Sequence, residues 1–161
     1  MALNITGHWH KPISLLDGSK SSLILTCSPH DIKKVPTASG VYIFGRKYGS
    51  KVTPLYVGQS LDLRARLNYH LKSSVKLLTR IREEADNGGK IFMYCEVQPK
   101  SGQRIQSVLN VLENALIEYF LVQGHELYQK QGVKRKEHQI TFTGNRSSEA
   151  VLPRTMRARA T

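Results

Sequence analysis

Arg66 and His70, four residues apart, and the isolated carboxylate Glu113 are the groups through which this chain could do chemistry. Arginine carries a planar fork of donors suited to two oxygens of one phosphate. Histidine moves protons near neutral pH, and a carboxylate can hold a hard divalent cation. Together these residue types can bind an anion, move a proton and hold a cation.

The spacing of neighbouring apolar residues says how these groups are held. Leu63, Leu67 and Leu71 recur at helical spacing, so one stripe of a helix faces the core. At about 100° per residue, Arg66 and His70 fall within about 40° of each other, beside that stripe rather than opposite it. They therefore sit at the rim of the core, where a cleft can form. Ile105, Val108, Leu109, Leu112, Leu116, Tyr119 and Phe120 predict a second helix over 101–123, which Gly124 can terminate. Glu113 points between Phe120 and Ile117, at the edge of this apolar face, whereas Glu118 points to solvent. A carboxylate against apolar side chains is costly unless a cation or hydrogen bonds compensate. A divalent ion would do so, and so would a Lys or Arg partner.

The strands are short. Val41-Tyr42-Ile43-Phe44, bounded by Gly40 and Gly45, is β-branched and aromatic, and Leu55-Tyr56-Val57 lies between Pro54 and Gly58. Residues 46–53, with Gly49 and Ser50, read as a hairpin-like loop. Ser60 is the expected N-cap of the first helix, with Asp62 in its first turn. Helix is expected to continue through Arg82 and end at Asn87-Gly88-Gly89, and residues 91–97 alternate as a third strand. Residues 139–143 form a late strand, and Arg154, Arg157 and Arg159 a basic tail. The expected fold is α/β: a small three-stranded sheet, mixed or antiparallel, flanked by helices. Residues 1–35 are an N-terminal arm or extension packed on a core of residues 36–124, and residues 125–161 a basic C-terminal extension.

Composition narrows the partners. The 161 residues carry 24 Lys and Arg against 12 acidic residues, a net charge of +12, and such an excess attracts polyanions through release of condensed counterions. Mean hydropathy is −0.35, and no stretch reaches the roughly 20 apolar residues of a membrane span, so no membrane partner is expected. The first residues lack a basic region followed by an apolar core, and Cys27 and Cys95 are too few for a disulfide framework. A reducing cytoplasm is the expected setting. His8, His10, Cys27 and His30 are zinc-ligand types, but no paired Cys-x-x-Cys accompanies them. Cys95, in an apolar strand, is a core residue.

Gly40-Val41-Tyr42, then Tyr56-Val57-Gly58, then the helix carrying Arg66 and His70, then a strand and a helix with Glu113, resembles the GIY-YIG nuclease superfamily over roughly residues 36–123. The resemblance implies a metal-dependent endonuclease acting on nucleic acid, most simply DNA. It makes Tyr42 the general base or part of its relay, Tyr56 a residue that positions the water or Tyr42, and Arg66 the phosphate clamp. His70 assists proton transfer, and Glu113 is the ligand of one Mg²⁺ or Mn²⁺ per site. A phenol with a reference pKa near 10 is only ~0.1% ionised at pH 7, so a metal and Arg66 are expected to lower that of Tyr42.

Lys47 and Lys51 in the hairpin, with Gln59 and Arg64, are the expected nucleic-acid contacts. The asparagine that many family members carry after the metal-binding helix is missing, and His125, Gln129 or Asn145 stands as its replacement. The alternatives are a nucleic-acid-binding module with a degenerate site, or a structure-specific repair nuclease that cuts beside a partner.

Overall fold

The computed structural model describes residues 4–18, 24–84, 88–129, 137–141 and 155–159. The chain divides into two compact units, Met1–Tyr128 and Gln129–Thr161.

The first unit is α/β, built on one antiparallel sheet. Its strands are β1 (Gly7–Trp9), β2 (Ile13–Asp17), β3 (Leu25–Thr26), β4 (Gly40–Tyr48), β5 (Lys51–Ser60) and β6 (Gly89–Val97), in the order β3-β2-β6-β4-β5, with β1 also paired to β6. The sheet thus has six strands where three were expected. The three expected strands are β4, β5 and β6. The other three come from residues 1–35 and extend the sheet. Gly7-His8-Trp9 and Leu25-Thr26 are too short to show a strand pattern, whereas Ile13-Ser14-Leu15 does alternate, with Ile13 and Leu15 buried and Ser14 exposed.

Four described helices accompany the sheet: α1 (Pro29–Lys34), α2 (Leu63–Ser73), α3 (Val75–Glu84) and α4 (Ile105–Val122). Alternation along the strands separates two cores. Tyr42, Phe44, Phe92 and Tyr94 pack with Leu63, Leu67 and Leu71 of α2 and Leu77, Leu78 and Ile81 of α3. Val41, Cys95 and Val97 pack with Val108 and Leu109 of α4. Cys95 is buried as expected, and burial pushes its thiol up to about 11. By length and composition α4 would suit a membrane span (18 residues, mean hydropathy 1.2). Only 17% of it is buried, including Val108, Leu109 and Ile117, and Gln106, Asn110 and Glu113 form a polar row beside its apolar stripe.

Local chemistry moved several boundaries. Residues 46–53 are no loop: β4 runs to Tyr48, β5 starts at Lys51, and only Gly49-Ser50 turns, with Gly49 at φ 60°. Asp62, not Ser60, caps α2, its carboxylate accepting from the Ala65 amide at 2.9 Å, while Ser60 ends β5 and accepts from the Asp62 amide. The helix expected to run on through Arg82 is broken at Ser74 into α2 and α3.

Gly124 at φ 90° ends α4, with the His125 amide bonded to the Phe120 carbonyl and its own amide to that of Leu121. The unit continues to Tyr128, beyond the expected boundary at 124. The Tyr128 amide bonds the Leu55 carbonyl at 2.7 Å, and Arg80 stacks over its ring. In the second unit, β7 (Glu137–Thr141) pairs antiparallel with β8 (Thr155–Arg159), which holds Arg157 and Arg159.

Candidate active site

The two glycine-containing triplets meet across the β4–β5 ladder, where Tyr42 lies opposite Gly58 and Phe44 opposite Tyr56. The Tyr42 ring crosses Gly58 so closely that a Cβ there would stand 2.3 Å from its Cζ and hydroxyl. Gly40 is required for a different reason. A Cβ at that position would meet the Cys95 carbonyl oxygen at 2.0 Å and Leu63 at 2.8 Å. The first triplet's glycine therefore lets β6 and α2 close on β4, and the second's lets Tyr42 lie over β5.

That placement aims the Tyr42 hydroxyl at α2, where it is 2.6 Å from Nε2 of His70. Tyr42 is 2% exposed and His70 6%. The imidazole sits among Tyr42, Phe44 and Tyr56, with ring centroids 5.4, 5.4 and 6.0 Å away. Its other nitrogen, Nδ1, lies 2.7 Å from the Ser74 hydroxyl, one helical turn on. Burial, reinforced by the Arg66 guanidinium, pulls His70 down to about 4, so it is neutral at pH 7. A neutral imidazole has one donor and one acceptor nitrogen. With Nδ1–H donating to Ser74, Nε2 is free to accept the proton of Tyr42.

With no metal bound, Arg66 by itself does not lower the Tyr42 phenol. Burial, followed by the neighbouring Tyr56, pushes it well above the usual phenol range. Arg66 opposes that shift without overcoming it, and Glu113 adds to it. Tyr56, less buried, is raised by burial and then by Glu113, again against Arg66. Without a metal the Tyr42 phenol therefore stays protonated at pH 7, with its proton directed at His70.

Tyr42, Tyr56 and His70 are in ring contact, and the charges of Arg66 and Glu113 reach both phenols. Arg66 is exposed on α2, its guanidinium carbon 5.7 Å from the centroid of the Tyr69 ring. Glu113 is half-buried on α4, and one of its oxygens accepts from Nε2 of Gln59 at 2.5 Å. Gln59 Nε2 also donates to Asn110, and Gln106 donates to both Gln59 and Asn110.

Among the described residues no three His, Cys, Asp or Glu side chains converge as a metal-binding group. Glu113 alone fits a hard cation that keeps most of its waters and takes a substrate phosphate oxygen, the usual mode for Mg²⁺. Of the zinc-type residues, His10 is committed to Glu96 at 3.1 Å and stacks on Tyr94.

The expected nucleic-acid contacts are scattered. Lys47 and Lys51 are exposed beside the β4–β5 turn. Gln59 belongs to the Glu113 network. Arg64 donates to the Lys33 and Val35 carbonyls, each at 2.8 Å, and so ties α2 to the C-terminal end of α1 instead of facing solvent. His125 packs edge-on against Phe120. Gln129 falls in the second unit and Asn145 outside the described residues.

Sequence reasoning missed Ser74 and the amides of Gln106 and Asn110. Both leave a signal: Ser74 is four residues after His70, and Gln106, Asn110 and Glu113 recur at helical spacing. Comparison of the chain with known protein families, with curated proteins and with solved structures finds no match.

Proposed function

We propose that this chain is a metal-dependent endonuclease that hydrolyses phosphodiester bonds in DNA, with an active site of the GIY-YIG type and a cytoplasmic setting. The observation that carries the reading is the buried Tyr42–His70 hydrogen bond, with Ser74 behind it and Arg66 and Glu113 beside it. Such a chain suits nucleophile activation without a free phenolate. A water gives its proton to the Tyr42 oxygen as Tyr42 gives its own to Nε2 of His70, and Nδ1–H stays on Ser74. The imidazolium so formed is costly at this buried position. A phosphodiester held by Arg66 brings the negative charge that offsets it.

Arg66 is the exposed cation of the five and can grip two phosphate oxygens through its fork. Tyr56, half-buried between His70 and the surface, can orient the water. Glu113 would hold one Mg²⁺ or Mn²⁺, which when bound supplies charge neutralisation for the leaving oxygen. The net charge of +12 supports a polyanionic substrate.

A second reading, a nucleic-acid-binding module that does not cut, draws on the near-complete burial of Tyr42 and His70. Glu113→Gln separates the two, because the amide keeps an oxygen for Gln59 but cannot hold the ion. With labelled single- and double-stranded DNA and RNA, the nuclease reading expects wild type to cut DNA when Mg²⁺ or Mn²⁺ is present. Glu113→Gln should not cut, at unchanged affinity and melting temperature. Full activity in Glu113→Gln overturns the metal assignment, and a wild type that binds without cutting any substrate hands the case to the binding module.

A further inference from the structure

A groove of about 510 Å³ opens beside the candidate active site, between the end of β5, α2 and α4. That is within the roughly 300–1,000 Å³ of small-ligand pockets. Its lining includes Arg66, Gln59 and Gln106, which belong to the site already described, and also Leu61, Asp62 and Tyr69, which do not.

Leu61, Asp62, Tyr69 and Gln106 define what can bind. Tyr69 is 57% exposed and Leu61 59%, although both are large and apolar. The Arg66 guanidinium lies over one face of the Tyr69 ring, 5.7 Å from its centroid, so a cation and an exposed aromatic ring share one wall and only the ring's other face is left for stacking. Gln106 brings an amide whose nitrogen is committed to Gln59 and Asn110, at 2.8 and 3.0 Å. The amide's orientation is thereby set, and its oxygen is left to accept from a ligand. Asp62 is fixed as the N-cap of α2 and contributes negative charge. The Asp62 carboxylate repels a phosphate placed beside it and not a neutral planar ring, which leaves the phosphate to the Arg66 side of the groove. The groove therefore selects a flat, uncharged group with an N–H to donate, immediately beside the residue that would hold a phosphate.

We propose that this groove is a subsite for one unpaired nucleobase next to the scissile phosphate, with Tyr69 as its stacking platform and Gln106 as an acceptor for its edge. The subsite rests on the nucleic-acid reading of the neighbouring active site, and it makes the substrate a single strand or a duplex end or bulge where a base is free to leave the stack. Stacking on an aromatic side chain tolerates any base, so the subsite would position the strand more than read it.

The test uses the full chain in Ca²⁺ without Mg²⁺ and short oligonucleotides carrying one 2-aminopurine, whose fluorescence is quenched on stacking. The probe base is moved one position at a time through single-stranded DNA, single-stranded RNA and fully paired DNA. Quenching is expected at one position in single strands and not in the duplex, and the DNA and RNA arms show which sugar the groove admits. Tyr69→Ala should abolish the quenching and weaken single-strand binding about tenfold, while Tyr69→Phe restores both. Melting curves of the two variants show whether α2 is intact. Quenching at no position, or equal affinity in Tyr69→Ala, overturns the subsite. Quenching without any cleavage in Mg²⁺ overturns the nuclease and leaves the subsite standing. Cleavage with no base-dependent signal does the reverse.

Discussion

Tyr42 lies across Gly58, its register partner on the neighbouring strand, with no room between them for a single carbon. That contact aims the phenol at His70, so the glycine of the second triplet acts on the candidate site without touching any substrate.

The first prediction follows from it. Gly58→Ala must displace the Tyr42 ring or the strand, because the clash is with a rigid aromatic packed on Phe92. We expect a stability loss of ~1–3 kcal/mol, the usual cost of overpacking, and a drop of at least ~10-fold in single-turnover cleavage. Urea unfolding and single-turnover rates measure the two effects. A stable, fully active Gly58→Ala would contradict the role given to this contact.

Much of this arrangement was legible before the structure. The two strands carrying the triplets follow from β-branched and aromatic residues between glycines and prolines, and the leucine stripe of α2 and the edge placement of Glu113 from period 3.6, although the element ends lie elsewhere than expected. What stayed hidden depends on contacts between segments distant in sequence. No periodicity reveals that Arg64 turns back to the α1 carbonyls, or that short polar strands such as β1 are held by pairing with β6. The burial that raises the Tyr42 phenol was equally hidden, since it requires α2 and the sheet to close together.

His70 carries a pH prediction. Its pKa of about 4 in the folded chain stands below the ordinary 6.5. Between those values the unfolded chain binds a proton that the folded chain refuses. Stability therefore rises with pH across that window and is lost as pH falls through it, by up to roughly 3 kcal/mol. Urea unfolding from pH 4 to pH 7.5 should show this slope in wild type and a shallower one in His70→Gln. Equal slopes would mean that His70 is not held neutral by its surroundings.

Ser74 is predicted to be a positioning residue. Ser74→Ala removes the partner of Nδ1 and frees the imidazole to change tautomer, so Nε2 no longer reliably accepts from Tyr42. We expect kcat to fall about tenfold with KM nearly unchanged, and Ser74→Thr, which keeps the hydroxyl, to recover most of it. A rise in KM at constant kcat would instead place Ser74 in substrate binding.

Charge predicts a salt dependence. The logarithm of DNA affinity should fall linearly with that of salt concentration, by about 0.9 per duplex phosphate contact. Deleting residues 154–161, which removes Arg154, Arg157 and Arg159, should make the slope shallower if the tail touches phosphate. An unchanged slope would leave the tail without a part in binding.

The most direct measurement is the single-turnover rate of Tyr42→Phe against wild type, at saturating enzyme in Mg²⁺, with affinity measured separately in Ca²⁺. The substitution keeps the ring over Gly58 and deletes only the hydroxyl that meets His70. The account predicts unchanged affinity and a rate at least ~10²-fold lower, the lower end for general acid–base catalysis. A Tyr42→Phe enzyme that cuts at the wild-type rate would contradict it, leaving the buried phenol as packing and the relay through His70 without a function.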